Sequence, residues 1–202
     1  MLIYSMSVTL DGFVTDRTGG FAWSAPSEDQ FRFSLAQVGE LGAYLCGRRL
    51  YETMLPWETD PLMRATDLGD AFADVWAALP KVVFSRTLDR VEGNARLATG
   101  SVAEEVAAAL ARTDRDVSVG GADLAAQAIA LGLLDEVRGF RNPLVVGGGT
   151  PFLPPVAEPL HLELVETRTF GSRVVYERYR RAAPRARHRR GVSTRAQPRA
   201  PR

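Results

Sequence analysis

In the stretch 116–129 (Asp-Val-Ser-Val-Gly-Gly-Ala-Asp-Leu-Ala-Ala-Gln-Ala-Ile) a β-branched run stops at Gly120-Gly121, and an alanine-rich helical pattern starts at once at Ala122. Such a turn aims unpaired backbone N–H groups out of a strand's carboxyl end. The first helical amides lack partners and the helix dipole favours negative charge there, so the site suits an anion. Glycine removes the Cβ atoms that would hold a phosphate away. Gly120-Gly121 is therefore a candidate pyrophosphate-binding turn, although two glycines also make an unliganded strand-to-helix turn. Gly47-Arg48-Arg49 is a second candidate, a helix start that carries guanidinium groups matched to phosphate oxygens. The same residues also suit a solvated helix start.

Three further groups could add chemistry. Ser85-Arg86-Thr87 follows an apolar run, and its hydroxyls and guanidinium could hold an adenosine 2′-phosphate, the group that separates NADPH from NADH; a polar loop is the alternative. Asp11-Gly12 closes the first apolar run, and its carboxylate could contact a substrate or a nicotinamide, though Asp-Gly is also a common plain turn. In 23–29 (Trp-Ser-Ala-Pro-Ser-Glu-Asp), Trp23 could cover a ring while Glu28 or Asp29 orients or protonates it. Acids in a first helical turn are equally favoured by the dipole alone. Gly147-Gly148-Gly149-Thr150 could line the ligand cleft through Gly148, or simply turn the chain.

Other chemistries lack their residues. One cysteine (Cys46) and two histidines (His161 and His188) give no zinc cluster of the usual spacing, and no metal site is expected. There is no Gly-x-Ser-x-Gly nucleophile elbow. The single lysine, Lys81, opens a strand pattern rather than a phosphate loop. Chemistry that needs no protein nucleophile remains, such as hydride transfer from a bound cofactor.

The elements that must position these groups follow from hydrophobic periodicity. Strands are expected over 2–8, 43–46, 81–85, 116–119 and 136–146. Helices are expected from Ser27, where Ser27 and Gln30 resemble a capping box followed by Phe31, Leu35 and Val38, and over 48–54 and 67–79. A second capping box, Ser101 with Glu104, opens a helix over 102–112. Leu124, Ala128 and Leu131 form the apolar face of the helix that stops at Gly132. Residues 13–26 and 56–66 read as loop. Two alternating runs around Gly171-Ser172 form a terminal hairpin. The order predicts an α/β domain with a mainly parallel central sheet flanked by helices and a C-terminal antiparallel hairpin. In such sheets ligands sit outside the strands' carboxyl ends, where four of the polar turns converge.

The 202 residues carry 25 basic and 24 acidic side chains, but the balance is uneven. Seven arginines and no acid fall in 182–202, which leaves 18 basic and 24 acidic residues in 1–181. The Pro/Ala/Arg-rich tail reads as a disordered extension without aromatic residues for base stacking, so no specific nucleic-acid partner is expected. No apolar run is long enough to cross a bilayer. The first residues read as a strand rather than a leader. With one cysteine, a cytoplasmic location is expected.

Taken in order, several segments resemble the dihydrofolate reductase-like superfamily. Within it they are similar to the C-terminal reductase domain of the bifunctional riboflavin-biosynthesis deaminase/reductase and its stand-alone bacterial relatives. The residues that carry this are Thr9-Leu10-Asp11-Gly12-Phe13, 44–52 (Tyr-Leu-Cys-Gly-Arg-Arg-Leu-Tyr-Glu), 81–88 (Lys-Val-Val-Phe-Ser-Arg-Thr-Leu) and 119–124 (Val-Gly-Gly-Ala-Asp-Leu). Leu134-Asp135-Glu136-Val137, 143–152 (Pro-Leu-Val-Val-Gly-Gly-Gly-Thr-Pro-Phe) and 174–179 (Val-Val-Tyr-Glu-Arg-Tyr) continue the pattern over about 1–180. The resemblance implies NADPH as cofactor, a pterin or a ribosylamino-pyrimidine as substrate, and a homodimer. It places Gly47 and Arg48 at the cofactor phosphates and Ser85, Arg86 and Thr87 at the 2′-phosphate. It places Gly120, Gly121, Ala122 and Leu124 at the pyrophosphate, and Asp11 near the nicotinamide. Trp23, Pro26, Glu28 and Asp29 only approximate the Trp-Pro-acid spacing of folate reductases proper. A non-catalytic, NADP(H)- or ligand-binding dimer on the same scaffold is the rival expectation.

Overall fold

The computed structural model describes residues 1–182; the Arg-rich tail lies outside the described residues. Strand β1 (Leu2–Thr9) alternates two kinds of side chain. Leu2, Tyr4 and Val8 enter one core, while Ile3, Ser5 and Ser7 face the opposite side of the sheet. Seven more strands join it: β2 (Leu41–Gly47), β3 (Lys81–Phe84), β4 (Ala95–Leu97), β5 (Asp116–Gly120), β6 (Glu136–Asn142), β7 (Leu162–Thr169) and β8 (Val175–Arg181). Their spatial order is β4-β3-β2-β5-β1-β6-β8-β7. The strands from β4 to β6 in that order are mutually parallel, and the β7–β8 hairpin adds antiparallel pairing at the far edge. The α/β architecture inferred above is the observed one.

Helices cover both faces. On one side α5 (Val102–Ala111) and α6 (Ala122–Ala130) bury Val106, Ala109, Leu124, Ala125 and Ala128 against Leu2, Tyr4, Leu45, Val117 and Val119. Each such large apolar side chain stabilises the fold by about 2 kcal/mol on burial. On the other side α1 (Glu28–Gly39) and α4 (Asp67–Ala78) pack Phe31, Leu35 and Val38 with Phe72 and Trp76 over Ile3 and Leu41. Helix α2 (Arg48–Met54) follows β2 directly and sets Tyr51 beside Cys46 and Val83.

Four local expectations need correction. Residues 56–66 are not open loop: a short helix α3 (Pro56–Thr59) and a 3₁₀ turn (Pro61–Arg64) each start on a proline, whose fixed φ suits a first helical position. Strand β4 was unforeseen because three half-buried edge residues carry no periodic signal. Leu131 is exposed, beyond the last turn of α6, instead of lying on its packed face. Ser27 and Gln30 form no capping box; the Ser27 hydroxyl donates to Asp29 at 2.5 Å, and Gln30 turns inward. The Ser101–Glu104 box forms as expected.

Glu105 on α5 fixes the β4 edge. Its buried carboxylate accepts from Arg96 at 2.5 Å and from the amides of Thr99 at 2.8 Å and Gly100 at 3.1 Å. These partners, the Arg96 guanidinium first, hold its pKa at about 2. A depressed carboxylate stabilises the fold fully above its unfolded pKa near 4.5 and loses that contribution as pH falls toward about 2. Glu105→Gln is expected to cost about 2 kcal/mol. Urea unfolding as a function of pH should show that loss at neutrality and a flatter acid limb.

Candidate cofactor and substrate site

Parallel pairing brings the carboxyl ends of β3, β2, β5, β1 and β6 to one rim, in that order. Ser85, Arg86 and Thr87 follow β3, and Gly47, Arg48 and Arg49 follow β2. The two groups touch, with Arg48 Nη1 donating to Thr87 Oγ1 at 3.2 Å, while the Ser85 hydroxyl caps its own turn by accepting from the amides of Thr87 and Leu88. Arg86 and Arg49 extend into solvent.

Gly120 and Gly121 follow on β5. Gly121 has φ +92°, a left-handed conformation, and a Cβ there would lie 3.9 Å from the amide nitrogen of Gly47. Gly120 is glycine for a different reason. A Cβ would sit 2.3 Å from Leu50 and 2.5 Å from the Tyr44 hydroxyl, so the residue lets α2 close on the sheet. No side chain caps α6, and its first intrahelical bond runs from the Ala125 amide to the Gly121 carbonyl. The amides of Ala122, Asp123 and Leu124 therefore precede the helical bonding pattern and are open to an anion. Leu124 can contribute only its backbone, since its side chain belongs to the core. Asp123, exposed in the same turn, adds a negative charge that works against anion binding.

Asp11, at the end of β1, is a clamp. Its carboxylate accepts from the Thr9 hydroxyl at 2.6 Å, the Gly147 amide at 2.8 Å and the Val146 amide at 3.3 Å. The Thr9 hydroxyl above all, then these amides, lower its pKa, so it stays ionised and ties the loop after β6 to the rim. Gly147-Gly148-Gly149 follow in that loop, all at positive φ, and Gly148 packs under the Arg17 guanidinium, which also donates to the Gly147 carbonyl.

Below the rim, on the α1 face of the sheet, lies a cleft of about 270 Å³. Ile3, Ser5 and Ser7 of β1 floor it, Ser118 and Arg138 extend the floor, and Gln30, Phe31 and Ser34 of α1 wall it. The acids expected to act here do not line it. Glu28 is exposed and pairs with Arg32 at 2.6 Å, one turn along. Asp29 accepts from Ser27, from the Gln30 amide and from the Gly171 amide, bonds that lower its pKa, Ser27 foremost. Trp23, in a 3₁₀ turn over Ala22–Ser24, stands beside the cleft, while its neighbours Ser24 and Pro26 reach the lining. Gln30, Ser5, Ser7 and Arg138 were missed. The two serines could have been noticed as same-face polar residues in an otherwise apolar strand, whereas nothing marked Gln30.

This architecture, a mostly parallel sheet with an antiparallel edge and a half-apolar cleft below a rim of open amides, is that of a dihydrofolate reductase-like domain. The chain belongs to the RibD C-terminal domain family, whose pattern matches residues 1–176. It is 32% identical over 182 residues to the uncharacterized protein YyaP of Bacillus subtilis, covering 86% of this chain and 91% of that one. Among solved structures it is similar to a Shewanella sp. PV-4 protein provisionally described as a riboflavin biosynthesis protein, with TM-score 0.72, 20% identity and coverage of 90% and 99%. It also resembles the diaminohydroxyphosphoribosylaminopyrimidine deaminase/5-amino-6-(5-phosphoribosylamino)uracil reductase of Thermotoga maritima, with TM-score 0.64 and 16% identity. That match covers 90% of this chain and 56% of the longer one. A pyrimidine reductase-like protein of Corynebacterium diphtheriae shares the fold at TM-score 0.59 and 12% identity, covering 90% and 92%.

The two rim glycines should fail differently. Gly121→Ala places a methyl in open space but in a strained conformation, at a cost of about 1–2 kcal/mol. Gly120→Ala should cost about 1–3 kcal/mol through crowding against Tyr44 and Leu50. Denaturant melts of both variants check the distinction, with a Leu50→Ala second-site change that eases the Leu50 part of the crowding in Gly120→Ala and leaves Gly121→Ala unrelieved.

Proposed function

We propose that the chain is an NADPH-dependent reductase of a small heterocycle, either a pyrimidine ribosylamine of the riboflavin-pathway type or a pterin-like ring. The observation that carries this is the continuity of the rim with the cleft. The open amides of Ala122 to Leu124 and the Arg48 guanidinium follow adjacent strands, and the polar floor of the cleft begins on the next strand, β1. These groups fit a dinucleotide: the α6 amides and Arg48 would take the pyrophosphate, and Ser85, Arg86 and Thr87 the 2′-phosphate. The relatives' descriptions as riboflavin-biosynthesis and pyrimidine reductase-like proteins support the same substrate class.

The bound cofactor would supply the hydride. The protein's own contribution is positioning. Ser5, Ser7 and Arg138 would hold the ring's polar atoms, Phe31 its face, and Asp11 would fix the Val146–Gly147 backbone above it. Asp11 and Asp29 are both held ionised by hydrogen bonds, so neither is the proton source; water entering the cleft serves that role in this reading. Among the described residues the cleft lining holds no carboxylate, which also favours a second reading, an NADP(H)- or ligand-binding dimer that does not turn over.

A homodimer is part of the proposal, as is a cytoplasmic location; no helix among the described residues is long and apolar enough to cross a membrane. Titration of the protein with NADPH and NADH, followed by cofactor fluorescence, tests the assignment. Arg86→Ala should weaken NADPH about tenfold, equivalent to 1.4 kcal/mol, and leave NADH unchanged. Arg48→Ala should weaken both. NADPH oxidation with a ribosylamino-pyrimidine supports the reductase; tight binding with no oxidation on a panel of heterocycles supports the binding dimer; no binding of either cofactor refutes both.

A further inference from the structure

Gln30 holds an unusual position. It is 3% exposed, it lines the cleft, and its Oε1 has no hydrogen-bond partner among the described residues. A buried carbonyl left unpaired is costly, and a ligand N–H in the cleft removes that cost. The helix start explains why this residue, and not an acid, reaches inward. Glu28 is occupied by Arg32, and Asp29 by Ser27 and the hairpin turn at Gly171, which leaves the third residue of α1 to face the sheet.

Charge points the same way. Among the described residues, Arg138 is the only charged one in the lining. It bonds to Glu136 at 2.7 Å, but that buried carboxylate is shared with Arg178 at 2.8 Å and Arg180 at 3.2 Å. Guanidinium groups therefore outnumber carboxylates behind the cleft floor. Such a field disfavours a cation and accepts a neutral or anionic ring. A primary amide carries a donor and an acceptor side by side and pairs in two bonds with a cis N–H/C=O edge, whereas a protonated amidine offers two donors and needs a carboxylate.

We propose that Gln30 is the specificity-determining residue of this cleft and selects rings with a neutral lactam edge over protonated amidines. This rests on the cleft being the substrate site and names the chemistry that the site would accept. The test is calorimetry on the full chain at pH 6 without any nicotinamide cofactor. The probes are 5,6-diaminouracil, a neutral lactam, and 2,4-diaminopyrimidine, which carries a proton.

The wild-type protein is expected to bind the lactam at least tenfold more tightly. Gln30→Glu, nearly isosteric, should reverse the order, and Gln30→Met should lose about tenfold for the lactam without gaining the amidine. Equal affinities, a wild-type preference for the amidine, no binding of either ring, or an unaltered Gln30→Met would each overturn the proposal. If Gln30→Met does not fold, the wild-type preference and its reversal in Gln30→Glu decide alone. NADPH titrations run in parallel keep the two readings apart. Selective lactam binding without NADPH binding contradicts only the reductase, and NADPH turnover with an unselective cleft contradicts only the role of Gln30.

Discussion

Parallel register is the constraint on which the site depends. Each strand from β4 to β6 in the sheet runs the same way, so their carboxyl ends meet on one edge whatever the lengths of the helices between them. The pairings Gly47 with Phe84, Cys46 with Gly120 and Thr9 with Asn142 align these ends closely. A one-residue slip of β1 would carry Ile3, Ser5 and Ser7 to the opposite core and drive Leu2, Tyr4 and Val8 into the cleft. Register is thus held by the apolar face, and the polar face takes its position from it.

The two parts of the site use opposite physics. Rim positions offer amides and guanidinium groups that remain wet, where charge is cheap to keep and anions gain from the helix dipole. Cleft positions are drier, and each polar atom there must find a partner. Glu136 is satisfied by three arginines, and Ser118 donates to the Ile3 carbonyl at 3.3 Å. Gln30 lines the cleft with its carbonyl oxygen unpaired among the described residues, as are the buried indole nitrogens of Trp23 and Trp76 nearby. Elsewhere the same rule yields pure structure: Lys81 is buried, yet it donates to the carbonyls of Trp76 and Leu79 and pairs with Glu58 at 2.8 Å, which anchors α3 against α4 and β3.

Much of this was legible in the residues. Strong signals came from buried strands with glycine ends, such as 116–121, and from the reciprocal Ser101–Glu104 cap, because those features are set by local geometry. The family pattern over 1–176 spans the same ordered segments, from Thr9-Leu10-Asp11-Gly12-Phe13 to the closing strand. The cleft was less visible. Glu28 and Asp29 drew attention as acids near Trp23, but first-turn carboxylates are stabilised by the dipole and by nearby donors, and here both are used that way. Gln30 became important only through the rotation of α1, which is fixed by Phe31, Leu35 and Val38 packing on α4 and by Phe33 meeting Tyr176 at 4.8 Å between ring centres. No spacing rule within one helix reveals that rotation. Likewise β4 and the 3₁₀ turn after Asp60 exist through tertiary contacts rather than pattern.

A crystal structure of the full chain soaked with NADPH tests the central claim most directly. The account predicts diphosphate density within hydrogen-bond distance of the first α6 amides, the 2′-phosphate beside Arg86, and the nicotinamide ring beside the Asp11 turn, which leaves the Ser5 and Ser7 floor of the cleft to the substrate. Density at any other surface, or none at saturating cofactor with the rim open to solvent, would contradict it.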